Sequence, residues 1–276
     1  MIESGWIRVS IATESERDAV AAACFRTGAS ALQDDGRELI AYVRTAADLQ
    51  VLTRAVRVVD AGARIGSSPV DDVDWAREWK RNLRVQRAGA LSVAPPWLAE
   101  GLAAEKTILI DPGMAFGTGD HASTRGALRQ LGTIVKPGDR VADLGAGSAV
   151  LSIGAAKLGA RCVTAVEVDI DAIGNAEANV VMNGVEDRVS VIHGDAGTLL
   201  SLLAPVDVIA ANILSSVIVA LLPSMATALA PRGTAVIAGI LDSERPALLQ
   251  TLDLDGWKLV SDDVEAGWWC GAIVRA

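Results

Sequence analysis

Apolar residues in the later part of this chain come in short runs separated by segments with helical character. The strand-like runs are 107–110, 141–144, 162–166, 189–192, 206–210 and 234–240. Regular alternation of such runs with helices predicts a mostly parallel, doubly wound sheet. Two last runs, 257–260 and 268–274, have no long helix between them. They predict an antiparallel hairpin at one edge of the sheet.

The first sixty or so residues show a different pattern. Residues 6–11 alternate between apolar and polar side chains, as a half-buried strand does. Ser15 and Asp18 have the spacing of a capping box, which predicts the start of a helix, and Gly28 predicts its end. This part of the chain therefore begins with a strand followed by a helix.

A hairpin and a second helix are predicted next. The acidic and glycine residues at 34–36 are typical of a turn, and 38–43 predict the returning strand. Thr45 and Asp48 predict the start of another helix, and a strand near 63–65 follows it. The resulting order βαββαβ predicts a small α+β domain with the split ferredoxin-like arrangement.

These patterns predict three segments. Residues 1–66 form the small domain, 67–105 form a linker, and 106–276 form the doubly wound domain. Within the linker we expect a helix on which Trp75 and Trp79 share one face, followed by an irregular connector. The chain is therefore expected to have two domains.

A glycine turn carries the clearest functional signal. Asp143 lies near the end of an apolar strand, and Gly145 and Gly147 follow it in a tight strand-to-helix turn. Glu167 ends the next strand, close to the roughly 20-residue spacing of an acid that binds ribose hydroxyls. Nucleotide-like ligands bind at such turns in open α/β sheets. These residues predict a ribose-bearing cofactor.

The turn does not fit a dinucleotide. The dinucleotide pattern requires a small residue where this chain has Val150, whereas Ala149 supplies a small residue one position earlier. The pattern D-x-G-x-G-x-G, with alanine at the last position, is typical of S-adenosylmethionine-dependent methyltransferases. Carboxylates at strand ends suit the cations and hydroxyls of that cofactor.

Two other segments are candidate parts of the site. Residues 111–124 are rich in glycine and hydroxyl groups, which indicates either a lid over the cofactor or a capped helix start with Ser123 or Thr124 as N-cap. Asn212 comes just after the fourth strand of the sheet. An asparagine there either caps a helix or accepts a hydrogen bond from a substrate amine.

Composition narrows the choice of partners. A net charge of −9 argues against a general nucleic-acid binder and is compatible with a basic protein partner. Cys24, Cys162 and Cys270 are widely spaced, which is typical of reduced thiols in a cytoplasmic protein and not of a metal site. No signal peptide or membrane-spanning run is apparent. We therefore expect a cytoplasmic protein that binds neither membranes nor nucleic acid directly.

Four motifs together resemble one family. D-P-G-M-A-F-G-T-G-x-H-x-x-T at 111–124, D-L-G-x-G-S-x-V-L at 143–151, A-N-I-L at 211–214 and A-G-I-L at 238–241 are similar to the PrmA family, the methyltransferases of large-subunit ribosomal protein eleven. The resemblance implies a Rossmann-like class I methyltransferase sheet joined to a small substrate-recognition domain. It also implies S-adenosylmethionine as cofactor and trimethylation of lysine and N-terminal amines of a basic ribosomal protein.

The resemblance assigns site residues by position. Its cofactor contacts fall on Thr124, Gly145, Glu167 and Asn212. Phe116, Gly117 and Thr118 match the loop that closes over the cofactor, and Asp195 lies where related enzymes bind the adenine amino group. Asp120 and Ala149 depart from the family pattern, and Asp120 places a charge where the substrate is expected.

Methyl transfer is an in-line displacement that needs a neutral, aligned amine, so the protein mainly positions and desolvates the reactants. Asn212 is expected to hold the amine and Glu167 the ribose, while Thr124 binds the polar end of the methionine moiety. The amine can lose its proton to water, so a general base is not required. His121 fits a structural role better than a proton relay.

Three alternatives remain at this point. The first is a methyltransferase of the same architecture that acts on another protein lysine or a small amine. The second is a nicotinamide-dependent reductase, against which Val150, the edge hairpin and the position of the only tyrosine, Tyr42, all argue. The third is a cofactor-binding module without catalytic activity, against which the intact Asn212 and loop glycines argue.

Overall fold

The computed structural model describes residues 6–13, 17–27, 29, 31–34, 38–69, 83–111 and 119–276. The chain divides into two units, Met1–Asn82 and Leu83–Ala276. The predicted linker, 67–105, is therefore divided between them. The predicted helix with Trp75 and Trp79 lies outside the described residues.

The first unit has the order βαββαβ. Its elements are β1 (Ile7–Ala12), α1 (Arg17–Arg26), β2 (Ala31–Asp34), β3 (Leu39–Val43), α2 (Ala46–Val59) and β4 (Arg64–Pro69). The strands lie in the order β2-β3-β1-β4, and every pair is antiparallel. This arrangement confirms the predicted ferredoxin-like fold.

A capping box begins α2, as its sequence predicts. The Asp48 amide donates to the Thr45 hydroxyl at 3.1 Å, and the Thr45 amide donates to the Asp48 carboxylate at 3.0 Å. Two otherwise unpaired donors of the helix start are thereby satisfied. The residues predicted to cap α1, Ser15 and Gly28, lie outside the described residues, as does most of the predicted turn at 34–36.

A seven-stranded sheet forms the centre of the second unit. Its strands are β8 (Arg140–Leu144), β9 (Cys162–Glu167), β10 (Val189–His193), β11 (Val206–Asn212), β12 (Leu229–Leu241), β13 (Trp257–Glu265) and β14 (Trp268–Arg275). They lie in the order β10-β9-β8-β11-β12-β14-β13. The first five are parallel, and β13 and β14 form the predicted antiparallel hairpin. The strand order reverses between β8 and β11, where α/β sheets bind their ligands.

Helices cover both faces of this sheet. They are α3 (Ala122–Ile134), α4 (Val150–Lys157), α5 (Ile170–Met182), α6 (Ala196–Leu203), α7 (Ser215–Ala228) and α8 (Arg245–Leu254). One apolar cluster packs α3, α4 and α5 against the sheet around Leu128 and Ile153. A second packs α6, α7 and α8 around Ile218 and Trp269. Among the residues described, no helix has the length and apolar character that a membrane crossing requires.

Residues 84–110 differ from the prediction. A connector was expected before residue 100, but that segment carries β5 (Gln86–Ala88) and β6 (Leu91–Ala94). The run at 107–110, expected in the central sheet, forms β7 (Thr107–Leu109), which pairs with β6 in a separate three-stranded sheet. An apolar run indicates a buried strand but not its partner, because pairing is decided by tertiary contacts.

Candidate active site

A cavity of about 570 Å³ opens at the carboxyl edge of the seven-stranded sheet. Its walls include residues at or just after the ends of β8, β9, β10 and β11, Gly239 within β12, and residues from the start of α3 and from β14. The cavity therefore lies at the strand-order reversal between β8 and β11. The residues that line it include His121, Gly145, Glu167, Asp195, Asn212 and Trp268.

Glu167 joins the glycine turn to the end of β9. Its Oε2 accepts a hydrogen bond from the Gly147 amide at 2.7 Å, and its Oε1 accepts from the Val168 and Asp169 amides at 2.8 and 2.9 Å. The side chain is 8% exposed and lines the cavity. These three main-chain donors hold the Glu167 carboxylate in one orientation at the cavity.

The turn brings backbone close to the cavity at Gly145. This residue has φ +71°, and a Cβ on it would lie 2.5 Å from the Cγ2 atom of Ile213. Only glycine meets both requirements without strain. Ala149, which stands in the third small position, also has a left-handed conformation, with φ +65°. That conformation costs an alanine about 1 kcal/mol, so the change from glycine at this position carries a modest stability cost.

Asp143 lies beneath the turn and does not line the cavity. It is 1% exposed, and its Oδ2 accepts a hydrogen bond from the Ser152 hydroxyl at 2.6 Å. Within the described part of the chain no group donates to its Oδ1. Burial raises the pKa of Asp143 to about 6, although the bond from Ser152 opposes the shift. A buried carboxylate this short of donors favours a cation nearby.

Asn212 is the last residue of β11, which extends two residues beyond the predicted strand end at 210. Its Nδ2 donates to the hydroxyl of Thr124, a fully buried residue of α3, at 3.2 Å. Its Oδ1 is buried, and none of the described residues donates to it. Because a buried acceptor without a donor is costly, this oxygen at the cavity is suited to receive a hydrogen bond from a ligand.

Gly239 allows the loop after β11 to approach β12. It has φ +82°, and a Cβ there would lie 2.6 Å from the main-chain oxygen of Ile213. Glu244 joins the same two segments, because its carboxylate accepts from the Ser215 hydroxyl at 2.6 Å and from the Leu241 amide at 2.9 Å. The position of Asn212 is thus supported by contacts on both sides of its loop.

An aromatic pair forms another wall. The rings of His121 and Trp268 meet edge to face, with their centroids 4.5 Å apart. His121, not Ser123 or Thr124 as predicted, is the N-cap of α3, and its Nδ1 lies 2.7 Å from the Ser123 hydroxyl oxygen. Burial lowers the pKa of His121, and the positive charge of Arg125 lowers it further. The ring is therefore neutral at pH 7.

Asp195 and Asp120 have structural partners. Asp195 lines the cavity and is the N-cap of α6, where its Oδ1 accepts from the Thr198 amide at 2.9 Å. Asp120 accepts a hydrogen bond from the Gln86 side chain at 2.7 Å and does not line the cavity. The charge at Asp120 therefore faces β5 and not the lining of the site.

Three asparagines spaced four residues apart, two on α5 and one at its C-cap, anchor the strand that leads into the 111–124 segment. Asn183 accepts from the Leu109 amide at 2.9 Å, and Asn179 accepts from the Asp111 amide at 2.9 Å. Asn175 donates to the Asp111 oxygen at 3.3 Å. Phe116, Gly117 and Thr118, which the family resemblance assigns to a closing loop, lie outside the described residues.

The structure brings most of the predicted residues to one place. Gly145, Gly147, Glu167, Asp195 and Asn212 line the cavity, whereas Thr124 and Asp143 support it from behind. The sequence patterns predicted no site role for Trp268, Gly239 or Asn179. Signals for two of them were present: Gly239 belongs to one of the family motifs, and Asn179 repeats at helical spacing with Asn175 and Asn183.

The residues present fit a cofactor that carries both ribose hydroxyls and positive charge. Glu167 supplies a fixed carboxylate at the cavity, and the buried Asp143 lies under the turn. The glycines allow the main chain to lie close to a bound molecule, and none of the described residues donates to the side-chain oxygen of Asn212. The arrangement can therefore bind a cationic nucleoside and present an amine to it.

Comparison with known proteins gives consistent results. A family model described as ribosomal protein L11 methyltransferase (PrmA) matches residues 3–276. A protein of that name from Thermus thermophilus is 38% identical over 200 residues, which cover 72% of this chain and 76% of the relative. One from Pelotomaculum thermopropionicum is 39% identical over 208 residues, which cover 74% of this chain and 66% of the relative.

A solved structure is also similar. The crystal structure of ribosomal protein L11 methylase from Lactobacillus delbrueckii subsp. bulgaricus matches with a TM-score of 0.63 and 29% sequence identity. The match covers 70% of this chain and 99% of that chain. The match spans 66% of the length of the Pelotomaculum protein, so that relative has residues outside the matched region.

Proposed function

Because this chain belongs to the ribosomal protein L11 methyltransferase (PrmA) family, we propose that it transfers methyl groups from S-adenosylmethionine to amines of ribosomal protein L11. The observation that carries this proposal is the buried Oδ1 of Asn212, a residue that lines the cavity, to which no described residue donates a hydrogen bond. An amine presented to this oxygen satisfies it and is itself oriented.

S-adenosylmethionine supplies, when bound, an electrophilic methyl group on a sulfonium centre. Glu167 would hold its ribose hydroxyls, and Asp195, further along the cavity, would lie at its adenine. The turn at Gly145 and Gly147 would seat the methionine moiety. Asp143, buried below this turn, would favour the positive charges of that moiety.

The chain's own part in the reaction is alignment and desolvation. Asn212 accepts an N–H of the target amine, so that the nitrogen lone pair points towards the cofactor. Thr124 fixes the orientation of the Asn212 amide through the bond at 3.2 Å. The neutral ring of His121 places no further positive charge at the site. The amine gives up its proton to water before attack, so no triad is needed.

The proposed substrate is a basic protein. The net charge of −9 favours encounter with such a partner. We assign residues 1–66 to substrate recognition, 67–105 to a linker, and 106–276 to methyl transfer, and a ribosomal protein substrate would place the reaction in the cytoplasm. Neither nucleic acid nor a membrane has a part in this proposal.

Intact-mass spectrometry of purified ribosomal protein L11 tests the proposal. The protein is incubated with this enzyme and S-adenosylmethionine, and we expect mass gains in steps of one methyl group. The matched control is the Asn212→Ala variant, which should leave the substrate mass unchanged. If the wild type binds the cofactor by calorimetry but adds no methyl group to L11, the substrate assignment is wrong.

A further inference from the structure

The His121–Trp268 wall of the cavity is built from two segments far apart in sequence. His121 is the N-cap of α3, whereas Trp268 begins β14 after the turn at Ala266 and Gly267. Their rings meet edge to face at 4.5 Å, and both line the cavity. Some contact must fix the helix start against the hairpin turn, because aromatic edge contacts alone are worth only about 1 kcal/mol.

Arg125 makes that connection. It lies on α3 one turn after His121, and its Nε donates to Glu265 Oε1 at 2.8 Å, on the far side of the hairpin turn from Trp268. Its Nη2 contacts the same carboxylate oxygen, and its Nη1 donates to the main-chain oxygen of Asp120, next to His121. The Arg125 guanidinium therefore binds both Asp120, which precedes the N-cap of α3, and Glu265, the last residue of β13 before the hairpin turn.

We propose that Arg125 is a positioning residue for methyl transfer, because it holds the start of α3 and the β13–β14 turn together and thereby fixes His121 and Trp268 as one wall of the active site. This inference rests on the proposed function where turnover on L11 is measured, whereas the histidine titration does not depend on it. Arg125 does not line the cavity, so it acts through these two side chains. The planar guanidinium suits the task, since its fork donates to several acceptors in a fixed geometry.

The charge of Arg125 has a second effect at His121. Arg125, on the same helix, is the charged group that acts on the histidine, and it is itself bound to the Asp120 main-chain oxygen and to the Glu265 carboxylate on β13. Burial lowers the pKa of His121 first, and the Arg125 charge lowers it further. Loss of the Arg125 charge removes this second cause, which favours the imidazolium and would place a positive charge where a cationic cofactor is expected.

Arg129 provides a matched control. It lies one turn further along α3 and pairs with Asp263, at 2.5 Å, and with Glu265, at 2.7 Å. Both arginines therefore tie α3 to β13, and their side chains are similarly half-buried. Arg129 makes no bond to Asp120 among those the structure describes. Loss of Arg129 tests the general effect of these ion pairs on the fold.

The experiment compares Arg125→Gln, Arg125→Lys and Arg129→Gln in the full-length chain. Turnover on L11, cofactor affinity by calorimetry, and histidine titration by NMR are measured for each. The chain has two histidines, so His193 serves as an internal reference. We expect Arg125→Gln to reduce kcat about ten- to a hundred-fold with cofactor affinity within a few-fold, and to shift the pKa of His121 upward.

Arg125→Lys should restore the low pKa of His121 and part of the turnover, and Arg129→Gln should behave almost like the wild type. Equal losses in Arg125→Gln and Arg129→Gln, with the His121 titration unmoved, would overturn the proposal and leave Arg125 a structural residue. If the wild type does not methylate L11, the proposed substrate fails, but the titration still decides whether Arg125 controls His121.

Discussion

The side-chain nitrogen of Asn212 donates to the Thr124 hydroxyl at 3.2 Å, although the two residues are 88 positions apart in the chain. This bond uses the donor end of the amide and leaves Oδ1 as the end that faces a ligand. Thr124 therefore contributes to the site without lining it, by deciding which end of the asparagine is available.

Asn212→Ala removes the acceptor for the target amine. We expect turnover on L11 to fall by at least about a hundred-fold, because the lone pair is no longer aligned, while cofactor affinity stays within a few-fold. Single-turnover methylation and calorimetry measure the two effects separately. Thr124→Val, which removes only the orienting bond, should give an intermediate loss. Unchanged turnover in Asn212→Ala would remove this residue from the mechanism.

Glu167→Gln changes the carboxylate that the Gly147, Val168 and Asp169 amides surround. An amide can keep the two bonds to Oε1, but its NH2 group would face the Gly147 N–H. We expect cofactor affinity to fall about ten- to a hundred-fold, as for the loss of a charged hydrogen-bond acceptor. Calorimetry measures the change in cofactor affinity. The control is Asp171→Asn, which removes the same charge from an exposed residue of α5 and should have little effect on that affinity.

Asp143 gives the fold a specific pH dependence. Its pKa is raised from 3.8 to about 6 by burial, so between these values the folded chain binds a proton that the unfolded chain does not. This group therefore stabilises the fold less as pH rises through 6. Asp143→Asn removes the cost of the buried charge, and its gain in unfolding free energy over the wild type should be about 1 kcal/mol larger at pH 7 than at pH 5.

Urea titrations of both proteins at the two pH values measure that difference. An equal gain at pH 5 and pH 7 would mean that Asp143 does not titrate between them. The same charge should aid a cationic cofactor, so wild-type affinity for S-adenosylmethionine should weaken below pH 6, whereas that of Asp143→Asn should vary less. Ser152→Ala, which removes the hydroxyl donor to Asp143, should move the midpoint to higher pH.

Glu244→Ala tests the support of the Asn212 loop. Its carboxylate joins Ser215 to the Leu241 amide, and the Ser215 hydroxyl is the first cause of its lowered pKa. We expect KM for the protein substrate to rise several-fold with cofactor affinity unchanged, because the loop after β11 loses one of its anchors. Steady-state kinetics with the Asp253→Ala variant, an exposed residue of α8, provides the comparison. Parallel behaviour of the two variants would count against a role for Glu244.

Local patterns were enough to predict much of the architecture. Thr45 and Asp48 were predicted to begin a helix and do so, because a capping box involves residues only three apart. The parallel strands, the edge hairpin and the glycine turn after β8 were predicted for a similar reason. Strand periodicity and the conformational requirement at Gly145 are properties of a few consecutive residues.

The sequence also predicted two residues that line the cavity, Glu167 and Asn212. Glu167 and Asn212 end parallel strands, and the carboxyl ends of parallel strands meet at one edge of a sheet. The position of each in its strand therefore implied that they share a site. It did not imply that the Glu167 carboxylate would also accept three main-chain hydrogen bonds, since those depend on how the turn folds against it.

By itself, then, the sequence determined the elements, the family and the chemistry of the strand ends, since these follow from short-range patterns. Only the tertiary structure decided that β7 pairs with β6 in a separate sheet and not with the central strands. It also decided that Thr124 orients Asn212 and that Arg125 joins the segments carrying His121 and Trp268. These contacts join segments up to 140 residues apart. Their partners are chosen by packing of the whole unit, which no local pattern of residues specifies.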